Sequence, residues 1–289
     1  MSNVERNVAE ARKKNNPWWV GIASRALIFW GEHMMRTEIK GKENLQEATD
    51  YVNTGKGGLI VTPNHNSYID AEFMMMVKEK IDPKKRFSVL WANKFVGNGE
   101  GKYTKTGQED PKKVSAAGKI GLAAAKRIGI ELVDVPQETN DLGTARKIIR
   151  HIKEIGKEIL GNNNVLGVFL EGTRSRDGNL GEAKRALRIL FENSEINSRI
   201  LILPIAATGT GEYLSPDSEK VNPLAKVIII YGKPYNYKQA LEEMERFNLP
   251  IETILMWHIG QLLPKEKWGI YIDAFSKIQD IYVKQTETY

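Results

Sequence analysis

A histidine and a carboxylate five residues apart form the first candidate for chemistry in this chain. They lie in the stretch Pro63-Asn64-His65-Asn66-Ser67-Tyr68-Ile69-Asp70, which directly follows the apolar run 58–61. Imidazole can exchange protons near neutral pH, and an acidic partner on one ring nitrogen leaves the other free to remove a proton. We therefore predict that His65 is a general base and that Asp70 orients it.

The same stretch also fits a simpler, structural interpretation. The spacing Ser67-x-x-Asp70 resembles a helix capping box, although Glu or Gln is the usual partner of the serine. Ser67 lacks the Gly-x-Ser-x-Gly setting of an activated serine nucleophile, which favours a capping role for it. The local pattern alone leaves capping and catalysis both open.

A second polar stretch, Glu171-Gly172-Thr173-Arg174-Ser175-Arg176, also follows an apolar run. Arginine offers a planar set of donors suited to phosphate, and Gly172 permits close approach of the backbone. The alternative is an ordinary charged turn after a strand. Both stretches come at the carboxyl ends of predicted strands, where open α/β sheets bind ligands, so both could face one crevice.

The elements that must position these residues alternate between strands and helices. This pattern predicts the α/β class, with a mixed, largely parallel sheet flanked by helices. The predicted strands are 59–61, 87–91, 130–135, 165–170, 200–205 and 227–231. The predicted helices are 43–52, 67–80, 114–128, 141–160, 184–191, 238–244, 251–263 and 271–283.

Composition limits the class of protein and its partners. With 289 residues and 41% hydrophobic residues, the chain can form one large domain, which we place at 46–289, with a helical appendage at 1–45. The absence of cysteine excludes disulfides, a thiolate nucleophile and a cysteine metal site. A formal net charge of +6 favours anionic partners such as nucleic acid, anionic lipid or phosphorylated small molecules.

The appendage carries the signals of a membrane-interface helix. Segment 17–35 is apolar but contains Arg25 and Glu32, so it is too short to span a bilayer. Its three tryptophans follow the basic cluster 12–14, an arrangement typical of an amphipathic helix lying among lipid headgroups. The helix could instead pack on the domain, or do both with different faces. The first fourteen residues do not fit a signal peptide.

Three ordered blocks of the chain resemble the glycerolipid acyltransferases, the family of lysophosphatidic acid and glycerol-3-phosphate acyltransferases. The blocks are Asn64-His65-x-Ser67-x-x-Asp70, then Glu171-Gly172-Thr173-Arg174-Ser175-Arg176, then Leu203-Pro204-Ile205. The resemblance covers roughly residues 57–235. It implies transfer of a fatty acyl group from acyl-CoA or acyl carrier protein to the free hydroxyl of a lysophospholipid, with 1-acylglycerol-3-phosphate as the favoured acceptor, in phospholipid biosynthesis.

The resemblance also implies roles for individual residues and partners. His65 would be the base and Asp70 its orienting partner, and the acceptor phosphate would be bound by Glu171, Gly172, Thr173 and Arg174. Further candidates for the site are Asn64, Ser67, Lys94, Arg176 and Pro204. The implied setting is the cytoplasmic side of a phospholipid membrane, with no metal, no cofactor beyond the acyl donor, and no nucleic acid.

The chain departs from the family pattern at two places. Leu170 replaces a proline often found before the glutamate, and the stretch 132–136 lacks an arginine that helps to bind phosphate; Lys94 or Arg127 are candidate substitutes. Alternative functions are a glycerol-3-phosphate or other lysolipid acyltransferase, or a thioesterase or lipid hydrolase that uses the same His–Asp pair on water. A non-enzymatic membrane- or nucleic-acid-binding protein would explain the charge and the tryptophans but not two ordered motifs.

Overall fold

A single mixed β-sheet with helices on both faces organises the chain. The computed structural model describes residues 36–92, 129–135, 142–184, 190, 199–214 and 221–286. The predicted α/β class with a largely parallel sheet is confirmed. The predicted N-terminal interface helix, helix 114–128, Lys94 and Arg127 lie outside the described residues, and so does most of the predicted helix 184–191.

The described residues contain eight strands and seven α-helices. The strands are β1 Arg36–Lys40, β2 Gly58–Pro63, β3 Phe87–Ala92, β4 Ile130–Val135, β5 Val165–Gly167, β6 Ile200–Thr208, β7 Lys226–Tyr231 and β8 Tyr235–Asn236. The helices are α1 Lys42–Asn53, α2 Ala71–Glu79, α3 Leu142–Gly161, α4 Thr210–Tyr213, α5 Tyr237–Phe247, α6 Ile251–Gly260 and α7 Ile272–Thr286. Three single-turn 3₁₀ helices are Tyr68–Asp70, Lys265–Lys267 and Gly269–Tyr271.

The strand order β1-β7-β6-β2-β5-β3-β4 places β2 between β5 and β6. β2 runs parallel to both neighbours, whereas β6 is antiparallel to β7 and to the short β8. Val61 of β2 stands opposite Gly167, the last residue of β5. The carboxyl ends of β2 and β5 therefore meet at one edge of the sheet, and the segments that follow them lie side by side.

Alternating side chains of the central strand enter two separate cores. Leu59 and Val61 belong to a cluster with α1 and α2, whereas Ile60 belongs to a cluster with α3, α5, α6 and α7. All three side chains are buried because helices cover both faces of the sheet. This explains why the strand is a continuous apolar run rather than an alternation of apolar and polar residues.

The structure differs from the predicted elements at the sheet edge and at two strand ends. β1 was not predicted, because its sequence has one large apolar residue, Ile39. It pairs in parallel with β7, and Glu38 bonds Lys226 across that pair at 2.7 Å. β6 runs to Thr208 because its last residues pair with β7, and β5 ends at Gly167, three residues earlier than predicted.

The helices that cover the sheet are amphipathic or short. α3 is 20 residues long and presents Arg146 and Arg150 to solvent, opposite the buried Ile152 and Ile159. Among the helices that the structure describes, none is both long and apolar enough to cross a bilayer.

Candidate active site

His65 lies just beyond the carboxyl end of β2, in the loop that leads to α2. Its Nδ1 is 3.0 Å from Oδ2 of Asp70, which ends the 3₁₀ turn between the loop and the helix. The Asp70 side chain is fully buried, whereas 17% of the His65 side chain is exposed. This geometry suits the tautomer in which Nδ1 donates to the carboxylate and Nε2 has a lone pair that can take a proton from a substrate.

The carboxylate of Asp70 also stabilises the loop that carries His65. Oδ2 accepts hydrogen bonds from the backbone N–H groups of Asn66 and Ser67, the latter at 2.7 Å. The Ser67 N–H bond is half of a capping box, but the Ser67 hydroxyl donates to the carbonyl of Leu214 at 2.6 Å instead of closing the other half. The catalytic and capping interpretations of this turn are therefore compatible, since one carboxylate serves both.

Glu171 connects the second motif to His65. Its Oε1 accepts from the backbone N–H of His65 at 3.0 Å, and its Oε2 accepts from that of Gly181 at 2.8 Å. Only 2% of the residue is exposed, and burial raises the pKa of the carboxyl to about 7 although both N–H bonds act in the opposite direction. The ionised form of Glu171, which can accept both bonds, is therefore favoured above about pH 7.

Two further contacts from the same segment hold His65. The N–H of Ser175 donates to the carbonyl of His65 at 2.7 Å. The ring of Phe169 stacks on the imidazole, with centroids 4.0 Å apart and planes 25° from parallel. His65 is thus held by Asp70 on one side and by the segment after β5 on the other. These contacts restrict rotation of the imidazole ring, which would move Nε2 away from a substrate.

The rest of the second motif forms an exposed turn beside His65. Gly172 has a φ of +64°, and a Cβ there would lie 3.0 Å from Cγ of Lys184, so glycine suits both the conformation and the space. Gly172, Thr173 and Arg176 are exposed, and Arg174 is half-buried. The structure therefore brings this basic turn, residues 172–176, next to the histidine, with Glu171 buried and Arg176 exposed.

Asp177 shapes the far side of this turn. One carboxylate oxygen accepts from the hydroxyl of Ser175 at 2.8 Å, and the backbone and side-chain amides of Asn179 also donate to the carboxylate. These bonds hold the pKa of Asp177 below its usual value, with the backbone N–H of Asn179 as the largest cause. These local bonds favour one conformation of the turn.

Asn64 and Pro204, two further predicted site residues, belong to the supporting sheet. The Asn64 side chain donates to the carbonyl of Ala207 at 3.0 Å and accepts from its N–H at 2.7 Å, as a neighbouring strand would. Pro204 stands opposite Thr62 in the β2–β6 pair, and its carbonyl accepts from Gly232. Both residues are placed to fix the course of β2 into the His65 loop.

Replacing Asn64 with alanine is expected to lower the free energy of unfolding by about 1–3 kcal/mol, because the buried N–H of Ala207 loses its acceptor. Urea denaturation followed by circular dichroism measures this loss. Asn162→Ala is the matched control, since that amide is exposed and bonds only within its own helix end. Equal stabilities of the two variants would contradict a structural role for Asn64.

The chain was compared with protein-family models and with curated proteins. No protein-family model matches the chain. Part of it is similar to an acyltransferase. The relative is the curated 1-acyl-sn-glycerol-3-phosphate acyltransferase of Cocos nucifera, which is 30% identical over 119 residues. The match covers 41% of this chain and 36% of the relative, so the aligned part spans well under half of the length of either protein.

The sequence pattern does not reveal every residue that supports the histidine. It predicts Phe169 as part of a buried strand, and Gly181, which holds Glu171, carries no recognisable signal. A turn that begins right after Gly167 would have indicated that Phe169 faces the site, but residues 168–170 are as apolar as the strand itself. In the described part of the chain, no three His, Asp, Glu or Cys side chains are grouped as metal ligands.

Proposed function

We propose that the protein transfers a fatty acyl group from acyl-CoA or acyl carrier protein to the free hydroxyl of a lysophospholipid, with 1-acylglycerol-3-phosphate as the preferred acceptor. The observation that carries the proposal is the bond between His65 Nδ1 and Asp70 Oδ2, directly beside an exposed turn with two arginines. The similarity to the acyltransferase of Cocos nucifera supports the reaction class. Because the proposed acceptor is a lipid, the proposal includes a membrane surface as the setting, on its cytoplasmic side.

The proposed chemistry begins with proton removal by His65. Nε2 takes the proton of the acceptor hydroxyl as its oxygen attacks the thioester carbonyl carbon, and a C–O bond forms. The tetrahedral intermediate then collapses, the C–S bond breaks, and the imidazolium returns its proton to the leaving thiolate. Asp70 keeps Nδ1 protonated throughout and offsets the positive charge that develops on the ring.

The developing oxyanion needs N–H donors that are not already engaged. The backbone N–H groups of His65, Asn66 and Ser67 donate to the carboxylates of Glu171 and Asp70, and that of Gly172 donates to the carbonyl of Phe169. We assign the oxyanion contact to the backbone N–H of Thr173, which has no partner among the described residues.

The acceptor phosphate is assigned to the exposed part of the second motif. In this proposal Arg174 binds the phosphate, Gly172 permits its close approach, and the Thr173 hydroxyl adds a donor. Glu171 contributes through position, because both of its oxygens accept backbone N–H bonds.

One assay separates the proposed reaction from its alternatives. Radiolabelled acyl-CoA is incubated with glycerol-3-phosphate and with a panel of lysophospholipids, and the labelled products are separated by chromatography. We expect label in a diacyl phospholipid, most strongly with 1-acylglycerol-3-phosphate. Release of free fatty acid without labelled phospholipid would identify a thioesterase and overturn the proposal.

Arg174→Ala is expected to raise the KM for a phosphate-bearing acceptor by about 10–100-fold, since a charge-assisted hydrogen bond contributes about 1.5–3 kcal/mol. The KM for the acyl donor should change little. Arg150→Ala, an exposed arginine on α3, controls for the loss of one positive charge. Unchanged acceptor kinetics in the Arg174 variant would show that phosphate binds elsewhere.

A further inference from the structure

The turn between α6 and α7 displays two isoleucines to solvent. Ile270 is 66% exposed and Ile272 is 44% exposed, three and five residues after Lys267. Single exposed apolar residues are common on protein surfaces, but two exposed isoleucines within three residues give this turn an apolar tip. We call residues 265–272 the C-terminal turn.

The C-terminal turn is held rigidly by the aromatic residues on either side of its tip. Trp268 is buried, donates from Nε1 to the carbonyl of Gly260 at 2.8 Å, and packs edge-on against Trp257 and Phe275. Tyr271 is also buried and stacks on Phe275. Ile270 lies between these two anchored residues, so its exposure is a property of a fixed backbone.

The same turn packs against the segment that follows the candidate phosphate loop. The carbonyl of Lys267 accepts from the N–H of Leu180 at 2.9 Å, and the Tyr271 hydroxyl accepts from the N–H of Ala183 at 2.8 Å. Gly269 approaches so closely that a Cβ there would lie 2.4 Å from the carbonyl oxygen of Leu180. The backbone that carries the isoleucines is therefore fixed against residues 178–183, which follow the second motif.

Positive charge borders the apolar tip. Lys265 is exposed, with its ammonium 5.7 Å from the centre of the Trp268 ring, and Lys267 extends towards Gly178, two residues beyond the basic turn. Glu266 and Asp273 are exposed nearby, so the charge is mixed along the turn itself.

We propose that the C-terminal turn docks onto an anionic lipid surface, with Ile270 and Ile272 entering the interface and Lys265 and Lys267 contacting headgroups. Apolar side chains beside cations are the combination that binds such surfaces. The docking proposal rests on the proposed function, in which the acceptor is a lipid. Docking at this turn would let the acceptor pass from the bilayer to His65.

The absence of cysteine from the chain allows a local test in the full-length protein. Ile270→Cys and Ile149→Cys are each labelled with the environment-sensitive fluorophore NBD; Ile149, 42% exposed on α3, is the control. With vesicles of phosphatidylglycerol and phosphatidylcholine, we expect a blue shift and a several-fold intensity gain at position 270 only. Nitroxide-labelled lipids should quench that signal, and Lys265→Glu with Lys267→Glu should weaken it.

Three outcomes would overturn the docking proposal. The label at position 270 could stay in water while co-sedimentation shows the protein bound to vesicles, or the protein could fail to bind vesicles. The label could also respond without vesicles as protein concentration rises, which would indicate a second copy of the chain as the occupant of the turn.

The docking proposal and the proposed function can fail separately. Acyl transfer to a short-chain acceptor, dissolved below its micellar concentration, is measured without vesicles. Ile270→Glu should retain that rate and lose transfer to vesicle-embedded acceptor. Insertion of the label in a protein without any acyl transfer would support docking and refute the proposed function.

Discussion

His65→Ala is expected to lower the turnover number for acyl transfer by about 10²–10⁴-fold, the range by which a positioned general base accelerates a reaction. The physical reason is that the acceptor hydroxyl would have to lose its proton to water while it attacks the thioester. Binding of the acyl donor and the acceptor should persist, because Arg174 and the exposed turn are unchanged. Steady-state kinetics with both substrates varied measure the two effects separately.

The loss should come without unfolding. The His65 side chain is partly exposed, and the backbone bonds from His65 to Glu171 and Ser175 do not involve the ring. His151→Ala, an exposed histidine on α3, is the control and should keep the wild-type rate. If the His65 variant turns over at the wild-type rate while folded, another residue must remove the proton.

Asp70→Asn is the second substitution with a large expected effect, a decrease in turnover of about 10²–10⁴-fold. An asparagine of the same shape retains a carbonyl oxygen for backbone bonds but loses the charge that offsets the imidazolium. Its amide can also donate to Nδ1, which would stabilise the tautomer that has no lone pair on Nε2. The KM values for donor and acceptor should stay close to those of the wild type.

The control for this variant must separate loss of orientation from loss of negative charge near the site. Asp177→Asn serves, because Asp177 directly follows the second motif and bonds Ser175 and Asn179 rather than the histidine. A stability measurement accompanies the kinetics, since Asp70 also holds two backbone N–H groups. Equal losses of turnover in both variants would argue against a specific His–Asp pair.

The arrangement joins two stretches about a hundred residues apart into one functional unit. Glu171 accepts from the backbone of His65, Ser175 donates to it, and Phe169 covers its ring. A displacement of the basic turn would therefore also move the base. This coupling suits a reaction in which the acceptor phosphate and the proton-removing nitrogen must be held at a fixed separation.

Most of the sheet could be predicted from the sequence because its strands are buried on both faces. Runs such as 59–61, 200–205 and 227–231 are apolar throughout, and that signal is local. β1 could not be predicted in this way, since its pairing with β7 and the Glu38–Lys226 bond come from residues almost two hundred positions away. Its charged side chains are suited to a sheet edge.

The class of fold, the order of the motifs and a histidine followed by an aspartate five residues later can all be predicted from the sequence. Those features depend on neighbours within one turn or one strand. Three contacts appear only in the folded chain: β5 lies beside β2, Glu171 holds the backbone of His65, and the C-terminal turn reaches Leu180. Such contacts follow from strand order and register, which arise when distant apolar faces are buried together.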